Sequence, residues 1–197
     1  METSNPIQSV RGENPAAAII NGANAVEQRI LAFTIPRQKL DNWCWAAVTE
    51  GLERAYGANP PRTQCQIVSQ TLRQSCCPQG ANVQVCNIPV FLPRALGSIF
   101  RNHDLTPRGR DFSFIRARIR AGYPVVAQID WGNGGAGHVV VIIGYQRVGT
   151  NTNLFICDPY TGQRSMERYD VFMNAFRDKG RWVSSFETQG RRLSFEL

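Results

Sequence analysis

Apolar residues recur at helical spacing in the first half of the chain and gather into short β-branched runs in the second. From Trp43 to Tyr56, the residues Trp45, Val48, Leu52 and Tyr56 fall three or four positions apart, the period of one helix face. Asp41 or Asn42 is available as the cap, and Gly57 and Pro60 end the run. Cys44 therefore falls in the first turn of a helix. Thr63 and Gln66 form a capping-box pattern ahead of Ile67, Val68 and Leu72, which predicts a second helix. A loop of Cys, Pro and Gly follows, then two short helices over Phe91 to Phe100 and Ser113 to Ala121.

From Pro124 the texture changes. PVVAQIDW, GHVVVIIGY, NLFICDP and RWVSSFE are separated by GNGGAG, GTNTN and TG turn signals, the pattern of an antiparallel sheet, with a short helix around Asp170 to Phe176. Helices first and strands second imply an α+β domain in which an N-terminal helical lobe packs on a C-terminal antiparallel β-sheet. Residues 1–30 read as a flexible leader or arm, 31–190 as the domain and 191–197 as a tail. No internal repeat or low-complexity tract interrupts this order.

The chain has 197 residues, enough for one domain with a core of its own, and its 43% hydrophobic content is that of a globular protein. Apolar runs such as Val139 to Ile143 are far too short to cross a bilayer, so no membrane insertion is expected. The formal charge is +7, almost all of it arginine, since Lys39 and Lys179 are the only lysines. The arginines are scattered, which argues for a solvated basic face and against nucleic acid as the primary ligand. The first residues lack the basic start and apolar core of a secretory signal, so export is expected to use a specialised, signal-independent machine.

At a helix N-terminus, backbone N–H groups and the helix dipole favour a thiolate, the nucleophilic form of cysteine. Cys44 then needs a proton acceptor, and the chain has two histidines. His103 lies in RNHDLTPRGR, which reads as a surface loop, whereas His138 follows a glycine-rich turn and opens an apolar strand. His138 is the better base. If GHVVVIIGY and NLFICDP form a hairpin turning near Val148, residues whose numbers sum to about 296 face each other. Asp158 then lies opposite His138 and on its side of the sheet; the plainer reading of Asp158 is a turn residue before Pro159. Gln38, just upstream of the helix, has an amide suited to hold an oxyanion beside the Cys44 N–H.

Gln38, Cys44-Trp45-Ala46, Gly137-His138 and Asp158, in that order, resemble the papain-like cysteine peptidases. The texture of NWCWAA, GHVVVIIGY and DPYTG is most similar to the small bacterial C39-like and C70-like branches, the latter including effector proteases delivered into other cells. The resemblance spans about Thr34 to Gln163 and implies a papain-like fold with Cys44 as nucleophile, His138 as general base and acid, Asp158 orienting the imidazole and Gln38 in the oxyanion hole. Asp stands in the third position where papain has Asn.

Cys65, Cys76, Cys77 and Cys86 surround one loop, SCCPQGANVQVCN. Two disulfides with three possible pairings, or reduced structural thiols, are both open; zinc is disfavoured because there is no CxxC and no histidine nearby. Cys157 reads as core. Trp45 begins the apolar stripe of the first helix, Trp43 packs beside the cleft, and Trp131 either walls the substrate site or closes a strand. Gly132, Gly134, Gly135, Ala136 and Gly137 point to an open cleft that admits small substrate side chains.

The expected function is thus a cysteine endopeptidase with no cofactor and no metal, acting as a monomer on a protein substrate. By resemblance it is a bacterial effector or toxin active in a target cell, with a cognate immunity or inhibitor protein as a further partner. The alternatives are another acyl-transfer enzyme on the same triad, such as a deamidase, transamidase or deubiquitinase-like enzyme, and a catalytically silent binding module.

Overall fold

The computed structural model describes residues 26–77, 83–104, 111–134 and 137–196. Residues 1–25, most of the expected leader, lie outside them, as do Gly135 and Ala136 of the glycine-rich turn. The helical half contains β1 (Val26–Ile30), α1 (Cys44–Ala55), α2 (Gln64–Leu72), α3 (Val83–Cys86), α4 (Leu92–Leu96) and α5 (Phe112–Arg120), with β2 (Phe100–Asp104) ahead of α5. The second half contains β3 (Val125–Asp130), β4 (His138–Val148), β5 (Asn151–Asp158), β6 (Gln163–Arg168), α6 (Tyr169–Ala175) and β7 (Arg181–Thr188). The α+β class and the antiparallel sheet are as the sequence predicts.

The sheet runs β2-β7-β3-β4-β5-β6, with every pair antiparallel, and β1 adds to it through β4. One edge of β4 pairs with β3 along its first half and with β1 along its second, while β5 takes the other edge. Its run Val139 to Ile143 is buried throughout, which is why it reads as continuously apolar rather than alternating. Helix α1 packs on β4, α5 on β1, β3 and β4, and α6 on β5, β6 and β7.

Three strands escape the hydrophobic pattern. β1, β2 and β6 all lie at the margins of the sheet, and β6 is almost wholly exposed. Polar edge strands carry no period-2 signal and are defined by the neighbour they pair with. The sheet therefore draws on the first half of the chain as well as the second. His103, expected in a surface loop, stands in β2 with its backbone opposite Phe186. The helix expected over Phe91 to Phe100 is confined to α4 and a 3-10 turn at Gly97–Ile99. Along the other margin, the backbone of Ala32 bonds Ser194 and that of Glu196 bonds Ile30, so the expected tail lies against the start of the domain. No helix among the described residues is long and apolar enough to cross a membrane.

The β4–β5 pairing carries a bulge that matters for the site. From the turn to Gly144, paired residues sum to 299, as in Tyr145 with Leu154; past the bulge between Ile142 and Gly144 they sum to 298, as in Val141 with Cys157. Without that extra residue Asp158 would lie opposite Val141 and face away from His138. With it, the pairs nearest the site sum to 298 and not the expected 296, so Asp158, the residue after Cys157, is not directly opposite His138 but two positions along the ladder from it, on the same face.

Gly144 sits at the bulge because β1 crosses there: a Cβ would stand 2.5 Å from the Arg29 carbonyl oxygen and 3.0 Å from the Ile30 Cα. Gly144→Ala pushes β1 off β4. It is expected to cost about 1–3 kcal/mol and to lower Tm by several degrees in a thermal melt; an unchanged Tm would show that β1 does not brace the bulge.

Candidate active site

Cys44 is the first residue of α1, where the helix leaves its leading N–H groups without intrahelical acceptors. The cap is Trp43, with no side-chain capping bond, in place of the expected Asp41 or Asn42. Asn42 is engaged elsewhere: its N–H donates to Asn87 Oδ1 (2.9 Å) and its amide to the Asn87 carbonyl (2.8 Å). The indole N–H of Trp43 donates to the Cys86 carbonyl (2.8 Å), and that of Trp45 to the Ile88 carbonyl (3.1 Å). The residues flanking Cys44 are thus tied to segment 86–88. Disulfides Cys65–Cys77 and Cys76–Cys86 hold that segment in turn, closing one of the two possibilities the sequence left open.

His138 opens β4, with Ile129 of β3 opposite it. Gly137 is required by close packing: a Cβ there would lie 2.6 Å from the Ile129 carbonyl oxygen. His138 Nε2 and Asp158 Oδ1 are 2.8 Å apart, and both side chains are buried. A carboxylate only accepts, so Nε2–H donates and Nδ1 is left on the side of the Cys44 thiol, which itself interacts with the ring. Trp131 stacks on the imidazole, with centroids 6.1 Å apart and planes 25° apart.

Burial of the ring opposes protonation, but the Asp158 bond and the neighbouring Cys44 outweigh it, and the His138 pKa is pushed up to about 9. Burial likewise opposes the Asp158 anion. The His138 bond, the Tyr160 N–H and the Arg177 guanidinium overcome that and hold its carboxyl below the usual range. The other free cysteine among the described residues, Cys157, is buried, and burial pushes its thiol up to about 11, so it stays protonated as a core residue.

Three of the four expected site residues converge. Gln38 is near them by its backbone, whose N–H donates to the Pro159 carbonyl (2.7 Å). Its amide is turned to the loop entering α1, donating to the Leu40 (3.0 Å) and Asp41 (2.7 Å) carbonyls. Its Oε1 is buried and accepts no hydrogen bond among the described residues.

Beside Cys44 and His138 lies a groove of about 280 Å³, lined by Trp45, Val90, Phe91, Val139 and Phe186, with Gln128 as a polar member. Sequence reasoning missed Arg177, whose Nη2 lies 2.5 Å from Asp158 Oδ2, because nothing local marks it. It also missed the wall from Pro89 to Leu92, whose place beside the cysteine follows from the disulfide-held loop. Among the described residues no group of three or more His, Cys, Asp or Glu side chains is placed to hold a metal.

A helical lobe presenting a cysteine at a helix start, against a sheet presenting a histidine and its carboxylate, defines the papain-like cysteine peptidase superfamily. The chain belongs to the Peptidase_C39-like family, whose model matches residues 30–188. No curated protein matches it. Family membership supports the activity of a cysteine peptidase, a hydrolase.

Proposed function

We propose that the protein is an endopeptidase that cleaves protein substrates through Cys44, His138 and Asp158. The observation that carries this reading is the buried 2.8 Å bond between His138 and Asp158, formed where the ring also interacts with Cys44 beside the groove that both residues line. The Cys44 thiolate attacks a peptide carbonyl while the imidazolium protonates the leaving amine. His138 then takes a proton from water, which hydrolyses the thioester and releases the cysteine. Asp158 keeps Nε2 protonated and the ring in place.

The oxyanion falls to the Cys44 N–H, with Gln38 supplying a second donor by turning one amide N–H from the Asp41 carbonyl to the substrate. The groove takes an apolar side chain, and Gly137, which lines it, admits a glycine beside His138. We further propose that the enzyme is an exported effector or toxin. Its two disulfides fit a route or site of action where thiols are oxidised better than a reducing cytosol.

The test is to incubate wild type and Cys44→Ala with proteomes of candidate target cells and to map new protein N-termini. Wild type alone is expected to generate them, with apolar or glycine residues enriched at the cleavage sites. Identical sets from both samples would refute the peptidase reading.

A further inference from the structure

Two consecutive non-glycine residues, Arg177 (φ 49°) and Asp178 (φ 69°), adopt left-handed backbone that L-residues disfavour. They lie in the tight turn between α6 and β7, closed by paired backbone bonds between Phe176 and Gly180. The turn is pressed against the end of β3: a Cβ on Gly180 would come within 2.6 Å of Ile129 and 2.8 Å of the Trp131 ring. Strain of this kind persists where surrounding packing imposes it, and it gathers at functional sites.

The turn reaches the His138–Asp158 pair twice, once through Trp131 and once directly. Phe176 stacks on Trp131 (6.4 Å, 25°), which stacks on His138. Arg177 reaches Asp158 Oδ2 at 2.5 Å, with its guanidinium over the Tyr160 ring at 4.7 Å and the Phe176 ring at 5.7 Å. The carboxylate is thereby fully assigned: Oδ1 accepts from His138 Nε2 (2.8 Å) and the Tyr160 N–H (2.9 Å), and Oδ2 accepts from Arg177. Holding both oxygens stops the carboxylate turning about its Cβ–Cγ bond.

We propose that Arg177 is a positioning residue for the peptidase site, pinning Asp158 Oδ2 so that Oδ1 stays aimed at His138 Nε2. This rests on the reading of Cys44, His138 and Asp158 as the reacting group. Arg177 touches neither substrate nor the reacting atoms and acts through Asp158 alone. The guanidinium lies over Tyr160 and on the carboxylate from a turn whose backbone is left-handed at 177 and 178.

The experiment measures the rate at which iodoacetamide alkylates Cys44, read by peptide mass spectrometry at neutral pH, alongside kcat and KM on a peptide the enzyme cleaves. Arg177→Gln is expected to slow both alkylation and kcat about tenfold, by analogy with the low end of the loss when the hydrogen-bond partner behind a metal-bound histidine is removed, with KM within about twofold. Arg177→Lys should recover much of the loss. The double variant Arg177→Gln/Asp158→Asn should be no slower than Asp158→Asn. Wild-type rates in Arg177→Gln, or multiplying losses in the double variant, would overturn the proposal. So would a loss that follows a lowered melting temperature and is not relieved by lysine. Failure of the underlying reading looks different: wild-type Cys44 would then alkylate at a rate that His138→Ala leaves unchanged.

Discussion

Cys44→Ala and His138→Ala are each expected to abolish turnover, by at least ~10⁴-fold in kcat/KM, with the double variant scarcely worse than either. The reason is geometric. The His138 ring interacts with the Cys44 thiol and its Nε2 is committed to Asp158, so nucleophile and base act as a unit. Removing either strands the other without its partner, so that only the substrate-binding groove and the α1 N–H groups still act on the substrate. Kinetics on a quenched peptide chosen from the mapped cleavage sites would check this; losses that multiply in the double variant would mean that the two residues work separately.

The second large effect is on pH dependence. With the His138 pKa pushed up to about 9, the imidazolium is present at neutral pH and is lost as pH rises through that value. The alkaline limb of kcat/KM is therefore expected near pH 9. Asp158→Asn removes the anion that favours the cation, leaving burial opposed by less. The limb should move to lower pH, and kcat/KM should fall about 10²-fold or more. A pH profile whose alkaline limb stays in place in Asp158→Asn would separate Asp158 from the histidine's charge.

The same shift links to stability. A folded-state pKa above the ordinary value of 6.5 stabilises the native state fully below that pH, and the contribution is lost between pH 6.5 and about 9. Wild type should accordingly lose Tm across that window, and Asp158→Asn should lose less.

Much of this site is legible in local sequence. The helical period that starts at Trp45 places Cys44 in a first turn, and the Thr63–Gln66 capping box appears as expected. The apolar runs that become β3, β4, β5 and β7 are set by side-chain burial, which each residue carries with it. The His138–Asp158 pairing was readable only in part. The hairpin and its approximate register follow from turn chemistry, but the shared face depends on one bulged residue, and that bulge falls at Gly144, where β1 crosses closely.

What sequence by itself determined, then, is an α+β chain with a cysteine at a helix start and a histidine at a strand start, because capping, periodicity and apolar runs are local properties. Tertiary structure alone decided the polar edge strands, the loop pinned by Cys76–Cys86 against the tryptophans, the turning of the Gln38 amide into its own loop, and the Arg177 contact with Asp158. Each of these joins residues far apart in the chain or depends on which of several hydrogen-bond partners wins. Backbone pairing and salt bridges are satisfied in space, and a residue such as Arg177 carries no mark of its partner until the turn at Phe176–Gly180 is pressed against β3.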